Sequence, residues 1–189
     1  MKLQAIAIGL ATMMVSTPAW AQARTAANCY QDRKPELKLT ACTALAKRSP
    51  RDSYAYSNRG YAYALKGDYD RAIRDLDEAI RLEPTYATGF ANRGEAWRQR
   101  GDIDRAIMDL SEAIRLDPSV TQAYVSRGQA LEAKGDIEQA KFDFSTALTR
   151  APEDSAAAKE AIAKARERLD ALEAVTGATG GGRPPASGQ

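Results

Sequence analysis

The chain has 189 residues, 44% of them apolar and 28% charged, which allows one domain with a continuous core and suggests no second one. Its 27 basic and 25 acidic side chains leave a formal charge of +2; this excludes the marked basic excess of a nucleic-acid binder and supplies no polybasic membrane patch. There is no His anywhere, so the commonest general base and the usual zinc ligand are missing, and an enzyme or metal protein is disfavoured.

Residues 1–21 read as a signal peptide. Lys2 supplies a positive charge, Leu3 to Val15 is a short apolar run, and Ala19-Trp20-Ala21 carries the small side chains a signal peptidase accepts. Cleavage is expected after Ala21 or, by the same rule, after Ala23. The run is shorter than the roughly 20 residues that span a bilayer, and no Cys follows it directly to take a lipid. The expected product is a soluble periplasmic or secreted bacterial protein, with no membrane association after cleavage.

Residues 22–52 form a degenerate helical unit, in which Pro35 to about Lys47 has the pattern of a second helix with Pro50 after it. Cys29 and Cys42 are the two cysteines of the chain. In an oxidising compartment a lone pair predicts a structural disulfide, stabilising by on the order of 3 kcal/mol through the unfolded chain. The Cys-x-x-Cys spacing of a redox centre is absent.

From Ser53 the sequence repeats every 34 residues, as units 53–86, 87–120 and 121–152. The first two copies share 18 of 34 residues, including Asn58-Arg59-Gly60 with Asn92-Arg93-Gly94; such self-similarity marks stacked units that are stable only against neighbours. The third copy keeps Arg127-Gly128, Gly135-Asp136, Ala140, Ala147 and Pro152 in register. Within a unit, Tyr56, Gly60 and Tyr63 fall on one helical face, Gly67-Asp68 breaks the run, and Ala72, Leu76, Ala79 and Ile80 form the stripe of a second helix that Pro84 ends. After Pro152, a cap spanning 153–175 is expected to dock through Ala158, Ile162, Ala165, Leu169 and Leu172. The Gly- and Pro-rich residues 176–189 are expected to be a disordered tail.

These positions resemble the tetratricopeptide repeat: Gly60, Gly94 and Gly128; Ala72, Ala106 and Ala140; Ala79, Ala113 and Ala147; Pro84, Pro118 and Pro152; with Tyr56, Phe90 and Tyr124, and Tyr63, Trp97 and Leu131, in the bulky slots. The resemblance implies an all-α, right-handed superhelical solenoid of antiparallel helix pairs with a C-terminal capping helix. Where the family commonly has Leu before the Gly, this chain has Arg59, Arg93 and Arg127, and each unit carries an Asp at a fixed offset, Asp75, Asp109 and Asp143. Each Arg is expected either to reach its own Asp along the core or simply to face water.

The resemblance also implies that the first helix of each pair lines a concave groove through the second, fifth, ninth, twelfth and thirteenth positions of each unit. These read Tyr54, Ser57, Tyr61, Ala64 and Leu65; Thr88, Ala91, Glu95, Arg98 and Gln99; Gln122, Val125, Gln129, Glu132 and Ala133. Aromatic anchors at one end and polar groups at the other suit an extended or helical peptide, unless Tyr54 and Tyr61 instead pack under the N-terminal segment. A subset of the family clamps a partner's terminal carboxylate with Lys, Asn and Arg. Here only Asn92 matches, because Ser57, Tyr61, Gln122 and Ser126 fill the other places. The paired carboxylates Asp68 and Asp70, and Asp102 and Asp104, recur at helix starts, where capping explains them. The sequence thus points to a non-catalytic exported adaptor without cofactor or metal that binds a protein or peptide. The alternative is a homo-oligomeric envelope protein that associates through the groove or the C-terminal stripe.

Overall fold

Gly67, Gly101 and Gly135 end the first helix of their units with positive φ of 78°, 94° and 92°, a backbone that other residues adopt at a cost. Asp68 and Asp102 then start the second helix, accepting from the backbone N–H of Arg71 at 3.1 Å and of Arg105 at 3.3 Å. The computed structural model describes residues 19–31, 34–150 and 156–179, and these form nine α-helices and no strand. They are α1 (Ala19–Tyr30), α2 (Pro35–Arg48), α3 (Ser53–Leu65), α4 (Tyr69–Leu82), α5 (Ala87–Arg100), α6 (Ile103–Leu116), α7 (Thr121–Lys134), α8 (Ile137–Arg150) and α9 (Ala156–Thr179).

Each helix packs on the next. Beyond that, α1 touches α3, α3 touches α5, α5 touches α7 and α7 touches α9, whereas α4, α6 and α8 do not touch one another. First helices therefore lie closer together than second helices, and the stack curves with α3, α5 and α7 on its inner side.

Close approach within a pair depends on Gly60, Gly94 and Gly128. A Cβ at Gly60 would stand 2.8 Å from Leu76 Cγ and 3.0 Å from the Ala72 carbonyl, and one at Gly94 would stand 2.7 Å from Leu110 Cγ. Leu76, Leu110 and Phe144 fill that space and are fully buried, each burial contributing about 1.5–3 kcal/mol.

The three arginines reach their aspartates. Arg59 donates through Nε and Nη2 to both oxygens of Asp75 at 2.7 Å, Arg93 to Asp109 at 2.7 Å, and Arg127 to Asp143 at 2.8 Å. Each guanidinium also stands over a ring of its own first helix: Tyr56 at 5.3 Å, Phe90 at 5.5 Å and Tyr124 at 6.0 Å. Hydrogen bonding to the aspartates holds all three above the ordinary arginine range. A second, exposed series recurs along the solenoid edge, Lys66 with Glu36, Arg100 with Asp70 and Lys134 with Asp104. It aligns neighbouring turns and is screened by salt.

Both ends are closed. Cys29 and Cys42 form a disulfide with Cα atoms 4.8 Å apart; both are buried with Leu45, Ala46 and Ala55, so α1 is tied to α2 and α3. At the other end α9 packs on α7 and α8 in the place of a further first helix. It buries Ala161, Ala165 and Leu172 and turns Lys159, Glu160, Lys164, Arg166, Glu167 and Asp170 outward. This helix runs to Thr179, so the expected boundary at 175 falls inside it and 176–179 are helical, not tail. Residues 180–189, the leader residues 1–18 and Pro152 lie outside the described residues; Ala19-Trp20-Ala21 opens α1.

Candidate ligand-binding groove

The inner side of α3, α5 and α7 presents most of the expected positions. Tyr54, Thr88 and Gln122 are exposed, as are Tyr61, Leu65, Gln99 and Ala133, while Ala64, Glu95, Arg98, Gln129 and Glu132 are half-buried. The fifth positions are the exception. Ser57, Ala91 and Val125 are 1%, 5% and 0% exposed, because they lie where one first helix meets the next. Ser57 accepts from Asn92 of α5, Ala91 clusters with Ala123 of α7, and Val125 joins Ala161 and Ala165 of α9. They hold the floor together and are almost wholly covered, Ser57 lying in the wall of a small cleft.

The N-terminal end of the groove is aromatic. Tyr54 is 50%, Tyr61 39% and Leu65 53% exposed, so neither tyrosine is fully covered, although Lys38 of α2 stands over the Tyr61 ring. Tyr86, in the loop before α5, tilts against Tyr54 with ring centroids 4.9 Å apart. Beside Tyr61 and Tyr86 is a cleft of about 230 Å³, lined by Tyr30, Lys38, Ser57, Asn58, Tyr61, Tyr86, Thr88 and Asn92. Lys38 of α2 donates to Asn58 Oδ1 at 3.1 Å and holds its ammonium 5.4 Å from the Tyr61 ring centroid. Tyr30 donates to Asp52 Oδ2 at 2.5 Å. Burial, then that bond and the Asp52 charge, push the Tyr30 hydroxyl up to about 12. Burial also raises Tyr86, against the opposing effect of its bond with Ser57.

The C-terminal end is polar and already paired. Arg98 donates to both oxygens of Glu95 at 2.9 and 2.7 Å, and Gln99 adds a third bond at 2.8 Å. Burial pushes Glu95 up, but these donors hold it below its ordinary value. Glu132 accepts from Arg168 of α9. The positions of the carboxylate clamp are turned on one another: Asn92 donates to Ser57 at 3.3 Å and Gln122 to Ser126 at 3.1 Å. Asp68 and Asp102 are occupied as helix caps, while Asp70 and Asp104 take part in the edge pairs with Arg100 and Lys134.

Sequence reasoning missed Lys38, Tyr30 and Tyr86. Lys38 reads as one of several charges on α2, yet it is only 5% exposed. Tyr30 enters the cleft because it follows Cys29, whose disulfide fixes the end of α1. Tyr86 stands at the last position of its unit, where the motif has no fixed residue.

The tetratricopeptide repeat matches residues 53–86 and 121–154, and a further TPR repeat matches 94–135. Hsp70-Hsp90 organizing protein 1 of Glycine max is 36% identical over 59 residues, which is 31% of this chain and 10% of that protein; the chain spans about a tenth of the length of the curated relatives it matches. Similar solved structures include two RPAP3 domains. The second TPR domain of human RPAP3, in complex with the HSP70 peptide SGPTIEEVD, superposes with a TM-score of 0.54 at 29% identity, covering 62% of this chain and 92% of that one. The second TPR of Spaghetti (RPAP3), bound to the HSP90 peptide SRMEEVD, gives 0.52 at 30% identity, covering 56% and 98%. With three matched repeats and the helix pairing to go with them, the chain belongs to the tetratricopeptide-repeat family.

Proposed function

We propose that the chain is a non-catalytic adaptor, exported from a bacterial cell, that captures a peptide segment of a protein partner at the aromatic end of its concave groove. The observation that carries this reading is the pair Tyr54 and Tyr61, 50% and 39% exposed on one face of α3. Elsewhere along the groove the charges are satisfied internally. Exposed aromatic rings on a rigid concave wall are the usual anchors of an interface, and truncating such an anchor costs about 2 kcal/mol or more of binding. The peptide complexes of the RPAP3 domains support a peptide as the ligand class. Their acidic tail is a weaker guide, since Ser57, Gln122 and Ser126 stand where cations would receive a carboxylate.

Export is supported by Lys2, the apolar run from Leu3 to Val15, the small residues Ala19 and Ala21, and the disulfide. Cell fractionation with N-terminal sequencing is expected to find a chain beginning at Gln22 or Arg24 outside the cytoplasm; an unprocessed cytoplasmic chain would contradict it. For capture, affinity purification from envelope extract compares the wild type with a Tyr54→Ala, Tyr61→Ala variant. Partners held by the groove are lost from the variant, and equal recovery of every partner moves the site elsewhere.

A further inference from the structure

We infer that the outer side of α6 and α8, opposite the groove, joins two copies of this chain about a two-fold axis; the contact does not depend on peptide capture. Met108 and Phe142 hold the same place in successive units and are 71% and 67% exposed, more than any other large hydrophobic residue among those described. Their counterpart in the first unit is Arg74. The change runs along the whole helix. On α4 the outward residues Arg74, Asp77, Glu78 and Arg81 are all charged. On α8 the same positions read Phe142, Ser145, Thr146 and Thr149, with no charge, although α8 packs on α7 and α9 as α4 packs on α3 and α5. Packing within the solenoid therefore does not call for the change. Absence of charge around an exposed aromatic ring is the composition of an interface centre.

This face can be covered at little polar cost. Ser145 and Thr146 donate to the Phe142 carbonyl at 2.9 and 2.7 Å, and Thr149 to that of Thr146 at 3.0 Å, so drying the face leaves none of these hydroxyls without an acceptor. Charge selects a second copy as the occupant. A two-fold axis along the helices lays α6 of each copy over α8 of the other, and the repeat then sets each position against its own counterpart. Met108 meets Phe142, a thioether on a ring. Ser111 meets Ser145, while Glu112 and Arg115, already paired at 2.6 Å, meet Thr146 and Thr149. Had α8 kept the charges of α4, Glu112 would face a glutamate and Arg115 an arginine. The antiparallel alternative, α6 on α6 with Met108 on Met108, sets Glu112 against Asp104 of the other copy. The outer side is convex, so the contact is confined to these two helices. Helices about 21 Å long and 10 Å wide offer about 400 Å² per copy, which places the dimer among weak, concentration-dependent associations. Both grooves stay open, and the dimer presents two of them.

Sedimentation velocity of the purified chain with its disulfide intact, from about 5 to 500 µM, tests this. The wild type is expected to pass from monomer to dimer across that range. Met108→Glu and Phe142→Lys each weaken the dimer tenfold or more. An equimolar mixture of the two variants recovers it, because the new carboxylate and the new ammonium meet at one contact while the other keeps Met108 on Phe142. Tyr54→Ala with Tyr61→Ala dimerises as the wild type does. Circular dichroism confirms the fold of each variant, which substitutions at such exposed positions leave intact. A wild type that stays monomeric throughout, a Phe142→Lys chain that dimerises unchanged, or a mixture that stays monomeric overturns the inference. Loss of the dimer in the tyrosine variant would place self-association in the groove and overturn it equally.

Discussion

Arg93 and Asp77 are joined across a unit boundary: Arg93 Nη1 donates to Asp77 Oδ1 at 2.7 Å while its other two nitrogens hold Asp109 of its own unit. One repeat later Arg127 makes the same reach to Ser111, a hydroxyl in place of the carboxylate, at 3.1 Å. The arginine that replaces the family's leucine thus binds each helix pair internally and fastens it to the pair before. Removing the acceptor strands a half-buried cation. Asp143→Ala is predicted to cost about 3–5 kcal/mol in urea unfolding, since the Asp143 side chain is 1% exposed and Ser111 is a weak substitute. Asp109→Ala is predicted to cost at least ~1 kcal/mol less, because Asp77 still neutralises Arg93. Equal losses would show that the second carboxylate carries no stability.

Gly60 lies against backbone as well as side chain, with the Ala72 carbonyl 3.0 Å from where a Cβ would stand. Gly60→Ala gains about 1 kcal/mol of helix propensity but forces α3 from α4, an overpacking cost of about 1–3 kcal/mol. The expected net effect in thermal unfolding is a lower Tm. A raised Tm would mean that the pair relaxes freely.

Loss of the disulfide should act locally. Cys29→Ser with Cys42→Ser is predicted to lower stability by about 2–4 kcal/mol, and hydrogen exchange should accelerate in α1 and α2 while α5 to α8 keep their protection, because solenoid units couple chiefly to neighbours. Uniform acceleration would contradict that picture.

Tyr30 gives a pH signature. Burial and Asp52 favour its neutral form in the folded chain, so that contribution is whole below the ordinary tyrosine value of 10.0 and is lost as pH climbs toward about 12. Spectrophotometric titration of the folded chain should show Tyr30 and Tyr86 ionising late, and Asp52→Asn, which keeps a good helix cap, should bring Tyr30 down. No change on that substitution would remove Asp52 as a cause.

The periodic parts of this fold are legible in the sequence. Gly60, Ala72, Ala79 and their counterparts recur because only small side chains allow close helices, and the fixed spacing of Arg59 and Asp75 predicts a bond that the fold makes. The limits lie where units meet. A 34-residue spacing says which helix face points inward but not how near the next first helix comes, so Ser57, Ala91 and Val125 read as groove lining although they are packed between helices. Lys38 and Tyr30 come from a unit without the repeat pattern, and only its folding against α3 carries them to the cleft.

Site-specific photocrosslinking in the producing cell tests the central claim most directly. A benzoylphenylalanine at position 54 probes the aromatic end of the groove, and one at position 108 probes Met108, which is 71% exposed on the second helix α6. Peptide capture in the groove predicts an adduct with a different protein from position 54 and none from position 108, which faces only a second copy of the chain. An adduct with a different protein from position 108 alone would place the binding surface on the other side of the solenoid.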